Sequence, residues 1–559
     1  MTLTRRTRPT RTCRARTCRA LALLPAITLA LAGCGDDLPD DPDVTDTTPD
    51  APPDPDGSDG GDADGTDADT PDRRCLGLWP DPPPQVTPPT MPAIGPDRAG
   101  LFFTVSSPRA FDLDGDGCPD FVFGVGVERE QYAVVTADYG RVIAIDGASG
   151  DVLWTVVTPG DVFASAVTLT AADGTLRVVT AGREGTMVSI VAATGVVDWF
   201  VDPTSIVAPP QPYNFYSPLL VEDVNADGVP ELVNVYGGDA SAQPAAPRDP
   251  SWVVLVDGET GELLGYRQTP DDAESYTSPV AWRTAARDGV MSTSFLFGTG
   301  GETLPGSLWL GTVDDLVAET HDGDWATEVV AGTRDRGVIA PPLVVDADGD
   351  GTLDLVVVDF GGRVVVLDGG DLADELWSVA FAGEESNVAA GVARLGEGRL
   401  GLMLTHNTGV FPMYTGSTHR LFELADGTPL DSWGSSLPFA FSPLAVDLTG
   451  DGVDAWIAGS TSVFAPSVAS EVRVVDTVTQ VRRTFTFPFG MAATPLVHVA
   501  PGHDQLELAL VGFTMDPDDF MANPPSWLFR RVALGASAPA SITWGAYLGT
   551  CGDGRLECE

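Results

Sequence analysis

Asp346-Ala347-Asp348-Gly349-Asp350-Gly351-Thr352-Leu353-Asp354-Leu355-Val356-Val357-Val358 is followed by Arg363-Val364-Val365-Val366-Leu367-Asp368-Gly369 and then by Leu376-Trp377. These residues decide the fold. The apolar runs Leu355–Val358 and Val364–Leu367 are short, valine-rich and bounded by turn residues, so they read as buried strands. An acidic, glycine-bearing turn precedes the first run, and a further strand ends on Trp377. With the apolar residues ahead of Asp346, the unit has four short strands.

Working outward, the unit repeats. A polar-Pro-apolar signature recurs at Ser107-Pro108, Ser217-Pro218-Leu219, Ser278-Pro279-Val280, Pro341-Pro342-Leu343, Ser442-Pro443-Leu444 and Thr494-Pro495-Leu496. Proline at a strand's first residue removes no ladder hydrogen bond, so its recurrence marks strand starts. Two gaps of double length hold weaker copies, Ser165-Ala166-Val167 and Ala389-Ala390-Gly391-Val392. Tryptophan ends the unit again at Leu153-Trp154, Asp198-Trp199 and Ser432-Trp433, where packing between units uses its area best. Four-stranded units at this spacing predict an all-β propeller over residues 101–550. Eight blades are expected, or seven if one weak copy is not a full blade.

The acidic turns carry chemistry. Asp112, Asp114, Asp116 and Asp120 occupy loop positions 1, 3, 5 and 9, and so do Asp346, Asp348, Asp350 and Asp354. Asp223, Asn225, Asp227 and Glu231 repeat the spacing with two changes. Alternate residues of a tight loop can aim oxygens at one point, and a hard cation such as calcium takes six to eight. Gly117, Gly228 and Gly351 at position 6 permit the turn, and the backbone carbonyls of Cys118, Val229 and Thr352 at position 7 are further candidate ligands. A seventh-unit loop has Asp447, Thr449 and Asp451, but Ala455 stands at position 9 and Asp454 comes one place early, which leaves its metal binding open. Units two, four, six and eight lack the loop.

Apolar strands flank these loops, and the closing acid falls at position 9, so they are not EF-hands. The D-x-D-x-D-G-x-x-D pattern resembles the FG-GAP/VCBS repeat of integrin-type propellers, which implies calcium binding. Tyr139 to Trp154, Val253 to Glu262 and Gly195 to Trp199 look like the PQQ-like repeat of quinoprotein propellers. The two resemblances together imply a propeller over about residues 101–550.

The N-terminus reads as an address. Residues 1–19 hold seven arginines, Leu21–Leu31 is apolar but too short to span a bilayer, and Leu31-Ala32-Gly33-Cys34 resembles a bacterial lipobox. Cleavage before Cys34 and lipidation of its thiol are expected. Removing residues 1–33 takes seven positive charges from a chain of net −49 and leaves −56, which repels nucleic acid. The mature chain is expected to be exported and held by lipid at the bacterial envelope, at the periplasmic face or the cell surface of the outer membrane. Residues 34–74 form an Asp/Pro/Gly-rich tether, with fifteen aspartates and no basic residue between Asp36 and Asp72. A proline-rich lead-in covers 75–100, and 551–559 is a cysteine-bearing tail. Cys75, Cys118, Cys551 and Cys558 allow three disulfide pairings, which stay open.

No lysine occurs, which removes Schiff-base, P-loop and lysine-base chemistry. His321, His406, His419, His498 and His503 form no ligand pair and read as surface or blade-edge residues. The expectation is a non-enzymatic binding or scaffold module for a protein or glycan partner, with calcium as its cofactor. The alternatives are a quinoprotein-like dehydrogenase, a polysaccharide lyase or hydrolase, and an outer-membrane assembly lipoprotein.

Overall fold

The structure, a computed structural model, describes residues 102–556 apart from 129–139, 207–212, 239–245, 247, 283–292, 318–324, 334, 463–467, 478–480, 492, 500–505, 515–525 and 536–540. The signal, Cys34, the tether, the lead-in, Cys75, Cys558, His321 and His503 lie outside the described residues.

Eight antiparallel sheets follow one another along the chain. The blades run Phe102–Thr158, Val167–Phe200, Asn214–Gln268, Val280–Ala331, Leu343–Ala380, Glu384–Ser435, Phe439–Phe487 and Leu496–Ala533. Both weak copies are therefore full blades, and the count is eight. Strands within a blade are lettered a to d in chain order, strand a being the one that leads directly into strand b; the short pieces Phe102–Val105, Asn214–Phe215, Glu384–Glu385 and Phe439–Ala440 pair with strand b ahead of it, and blade 8 has strands a to c among the described residues. In blade 5 they are Leu343–Val345, Asp354–Val358, Arg363–Leu367 and Glu375–Ala380. Strands a and b of this blade are buried at every residue, whereas d is largely exposed. Both faces of the middle strands meet neighbouring blades, which is why their sequences are unbroken apolar runs and not alternating ones. Helix is confined, among the described residues, to Val313–Val317 and a 3-10 turn at Pro203–Ser205.

The recurrent serine before proline forms a belt around the axis. Thr494 N–H donates to Ser107 Oγ at 2.9 Å, Ser442 N–H to Thr494 Oγ1 at 3.2 Å, Ser165 N–H to Ser217 Oγ at 3.0 Å and Ser217 N–H to Ser278 Oγ at 3.3 Å. Ser165 Oγ donates to the Ser107 carbonyl at 3.2 Å. Each bond joins adjacent blades and is buried, where an unpaired donor would be costly. Blades 5 and 6 carry Pro341 and Ala390 at this place and break the belt.

The tryptophans expected to end strand d lie inside it, third in Val152–Thr158, Val197–Phe200 and Glu375–Ala380, and they bridge blades as expected. Trp154 Nε1 donates to the Ala192 carbonyl at 2.7 Å, Trp199 to Gly258 at 3.3 Å and Trp377 to Leu424 at 2.7 Å. Each indole lies against a glycine in the next blade's c–d turn. A Cβ at Gly195, Gly261 or Gly427 would come within 2.6–2.7 Å of the ring, and all three have φ near +70°.

The ring closes through an apolar seam between blades 8 and 1, with Phe121, Phe123 and Ile143 against Leu496, Val511 and Phe529. After blade 8 the chain turns inward. Ser541–Trp544 pairs antiparallel with strand a of blade 7, Leu444–Asp447. Beyond it, Val497 N–H of blade 8 bonds the Gly545 carbonyl at 2.7 Å, Ala281 N–H of blade 4 bonds Asp553 at 3.2 Å, and Val344 N–H of blade 5 bonds Gly554 at 3.0 Å. The Arg109 guanidinium of blade 1 donates to the carbonyls of Gly549 and Tyr547. Residues 541–556, which include the start of the cysteine-bearing tail, thus cross the axis, bond the innermost strands of blades 1, 4, 5, 7 and 8, and pack against that of blade 6, where Trp544 lies beside Gly391. Cys118 and Cys551 are each disulfide-bonded.

Candidate functional site

The acidic loops connect strands a and b of blades 1, 3, 5 and 7. In each, the first aspartate folds the turn. Asp346 accepts from Gly349 and Gly351 N–H at 2.8 and 3.0 Å, and Asp112 from Gly115 and Gly117 at 2.8 and 3.2 Å. Asp223 takes Asp227 and Gly228, and Asp447 takes Gly450 and Gly452. Position 5 caps the N–H of position 7, as Asp116 does for Cys118 at 2.7 Å and Asp350 for Thr352 at 2.6 Å.

Two groups of three acids converge. Asp112, Asp114 and Asp116 form one, and Asp346, Asp348 and Asp354 the other; each group places one oxygen per residue within 4.8 Å of the others. The donors are all hard oxygens, the set that suits calcium or magnesium and not a thiolate-seeking metal. The two loops could therefore hold a hard cation. Among the described residues, the acids of the third and seventh loops make no such group.

Position 9 has a second task. Asp354 accepts from Ala347 N–H at 2.8 Å and from Gly369 N–H at 2.9 Å; Asp120 accepts from Leu113 and Gly147, both at 2.9 Å. Glu231 likewise takes Val224 and Gly258, both at 3.2 Å. The carboxylate thus ties its own loop to the end of strand c. The receiving residue has to be glycine, because a Cβ at Gly369 would meet the Leu353 carbonyl at 1.6 Å and one at Gly147 the Pro119 carbonyl at 1.9 Å. The sequence carries the signal: Asp146-Gly147, Asp257-Gly258 and Asp368-Gly369 occur in the three blades with an intact loop. Burial pushes Asp120 up to about 6 and raises Glu231 and Asp354.

The seventh loop is degenerate for a physical reason. Successive strand residues face opposite sides, so an acid one place early points away from the turn. Asp454 accepts instead from Arg394 N–H of blade 6 at 2.5 Å and from Thr543 Oγ1 of the axial segment at 3.0 Å. Burial pushes it up to about 6.

The described histidines correct the expectation of surface residues. His406 and His419 are fully buried and His498 nearly so. His406 lies edge-on to Phe381 at 4.9 Å, His419 stacks on Trp433 at 3.9 Å, and His498 meets Phe121 at 5.0 Å. They sit on inner strands, which neighbouring blades seal on both faces. Burial lowers His406 to about 4 and His419 to about 3.

On the face opposite the acidic loops, ion pairs fasten the connectors. Arg183 meets Asp161 at 3.3 Å, Arg248 meets Glu274 at 2.9 Å, and Arg336 meets Glu385 at 3.1 Å. Tyr276 and Tyr414 donate to Glu274 and Glu385 at 2.6 and 2.9 Å. No periodic cue marks this group, since its residues come from connectors that differ between blades.

Residues 112–272, which span most of blades 1 to 3, match the family model PQQ_2, described as outer membrane protein assembly factor BamB. These are PQQ-like repeats of the BamB type. The PQQ-like region includes the first and third acidic loops and the bridging Trp154 and Trp199. No curated relative matches the chain. Among solved structures, the quinohemoprotein alcohol dehydrogenase ADHIIG from Pseudomonas putida HK5 aligns with TM-score 0.50 at 12% identity, over 78% of this chain and 77% of that one. BamB from Moraxella catarrhalis aligns with TM-score 0.37 at 13% identity over 74% and 94%, and a Bacillus licheniformis rhamnogalacturonan lyase with TM-score 0.37 at 14% over 76% and 72%. At these identities the likeness is one of fold. A fold does not determine a function, so function has to be argued from the site.

Proposed function

We propose that the protein is an exported, lipid-anchored propeller, stiffened by calcium, that binds a protein or glycan partner in the bacterial envelope and catalyses no reaction of its own. The observation that carries this reading is the axial segment. Residues 541–556 bond the innermost strands of blades 1, 4, 5, 7 and 8, so the axis is occupied by the chain itself. A rigid ring with a filled axis offers its two loop-bearing faces as contact surfaces. The described histidines lie buried inside blades. Asp112, Asp114 and Asp116, with Asp346, Asp348 and Asp354, supply the oxygens for calcium, whose part would be to lock the a–b loops against the c–d turns. A second reading, an outer-membrane assembly lipoprotein, draws support from the BamB-type match over 112–272.

A pull-down from solubilised envelope, with the full mature chain and with calcium or chelator, tests the binding reading. A specific partner retained in calcium supports it. Turnover of a quinone-linked alcohol or an acidic polysaccharide, abolished by one carboxylate substitution, would overturn it. Calcium itself is tested by melting: two occupied sites at a hundredfold excess over Kd would add about 5 kcal/mol, and Asp348→Ala should remove about half of the calcium-dependent shift. Identical melts in calcium and chelator would dismiss the cation.

A further inference from the structure

We infer that the cleft between blades 5 and 6, on the face of the acidic loops, is a binding site for a small carboxylate-bearing ligand with an apolar side. The cleft has a volume of about 670 Å³. That lies within the range of roughly 300–1,000 Å³ that ligand pockets occupy. It exists because the two blades differ. Blade 5 carries the full nine-residue acidic loop, whereas blade 6 turns from strand a to strand b through Glu397 and Gly398 alone and leaves room beside it. The axial segment closes the inner end with Arg555 and Leu556.

Three guanidinium groups from separate elements line this space: Arg394 at strand a of blade 6, Arg399 at the start of strand b, and Arg555 on the axial segment. Two are engaged. Arg399 pairs with Glu423, its Nε at 3.1 Å from the carboxylate, and Arg555 Nε donates to Asp553 at 2.6 Å. Arg394 is exposed, and its side chain makes no hydrogen bond or ion pair with the described residues. In a chain of net −49 without lysine, an uncommitted guanidinium in a cleft is a selective feature for an anion. A planar fork of donors matches a carboxylate. Leu353, Leu400 and Leu556 supply apolar wall for the rest of the ligand. The acids in the lining are compensated: Arg399 pairs with Glu423, and the proposed calcium would offset Asp346 and Asp348, which leaves the Arg394 charge to attract an anion.

The inference goes beyond the proposed function, because it names a ligand chemistry and stands whether or not a macromolecular partner exists. The test is calorimetric titration of the mature chain with two carboxylate probes, digalacturonate and the N-acetylated dipeptide Leu-Leu. Their neutral counterparts are galactobiose and the C-terminally amidated dipeptide. At least one carboxylate probe should bind with a Kd below about 1 mM, and its neutral counterpart should not; which probe binds tells a sugar acid from a peptide terminus. Arg394→Gln should weaken that binding about 10- to 100-fold, the loss of a charge-assisted pair, while a cooperative melt is kept, because the exposed guanidinium acts on buried Asp454 only through space and the backbone N–H that bonds it remains. Arg394→Lys, which keeps the charge, should recover part of the affinity. Absence of binding by both carboxylate probes, equal binding of the neutral forms, or unchanged affinity in Arg394→Gln would each overturn the site.

Discussion

Asp354→Ala separates the two tasks of the position-9 acid. Its carboxylate holds two buried N–H groups, those of Ala347 and Gly369, at 2.8 and 2.9 Å. Truncation leaves both donors unpaired, and each unpaired buried donor costs about 1–3 kcal/mol, so the loss should be about 2–5 kcal/mol. Unfolding entropy of about 2.1 cal/mol/K per residue over a ring of this size makes 1 kcal/mol worth roughly 1 °C, so the melt should fall by about 2–5 °C. Asp354→Asn keeps one acceptor oxygen and should lose about half as much. The decisive assay is thermal melting in excess chelator, with hydrogen exchange at Ala347 and Gly369 as a local readout. The loss should persist without metal. If Asp354→Ala melts like the parent in chelator, the acid acts only as a ligand and the backbone tie is wrong.

Gly427→Ala should cost about 2–3 kcal/mol, because φ is +72° and the new Cβ would press on Trp377 at 2.7 Å; urea unfolding and a shift in indole fluorescence would report it. The buried histidines predict acid sensitivity. Their folded-state values, about 4 for His406 and about 3 for His419, lie below the unfolded 6.5, so the unfolded chain takes up protons that the fold refuses. Stability should fall as pH drops from 6.5 toward 4, by up to about 1.4 kcal/mol per pH unit for each histidine. Asp120 and Asp454, pushed up to about 6, act in the opposite sense below that pH, so His406→Leu is the clean comparison: its urea midpoint should lose less than the parent's between pH 7 and 5. Asp454→Ala should free the axial segment from blade 7, cost about 1–3 kcal/mol and speed hydrogen exchange at Ile542 and Trp544; unchanged exchange there would show that strand pairing alone holds it.

The blades were legible because each repeats the same physical solution. Valine runs, Ser-Pro starts and terminal tryptophans recur, and repetition separates signal from chance. The role of Ser107 or Ser217 was not legible, since proline already explained the motif and the hydroxyl's partner lies in an adjacent blade, 52 residues away for Ser217 and 387 for Ser107. The acidic loops were read as ligand sets, but the coupling of Asp354 to Gly369 was hidden, because nothing local shows that a loop acid reaches the end of strand c. Residues 541–556 occur once and have no repeat to betray them. His406 and His419 were misplaced because polarity was weighed above position: on strand b or c of a blade, either side is interior.

The belt of hydroxyls and the axial segment differ in how they would respond to a change in copy number. Repeat arrays gain and lose units, and a link made only between neighbours survives such events, since each blade that keeps the serine or threonine offers its neighbour the same hydroxyl. The axial segment has one length and fixed stations: Leu444–Asp447, then Val497, Arg109, Ala281 and Val344. An extra or missing blade would move those stations apart or together, and the crossing would no longer reach them. It also serves the arc where blades 5 and 6 have lost the hydroxyl. The protein therefore carries an internal gauge: duplication could rewrite any blade's outer loops, but the number eight is held by a single stretch of chain.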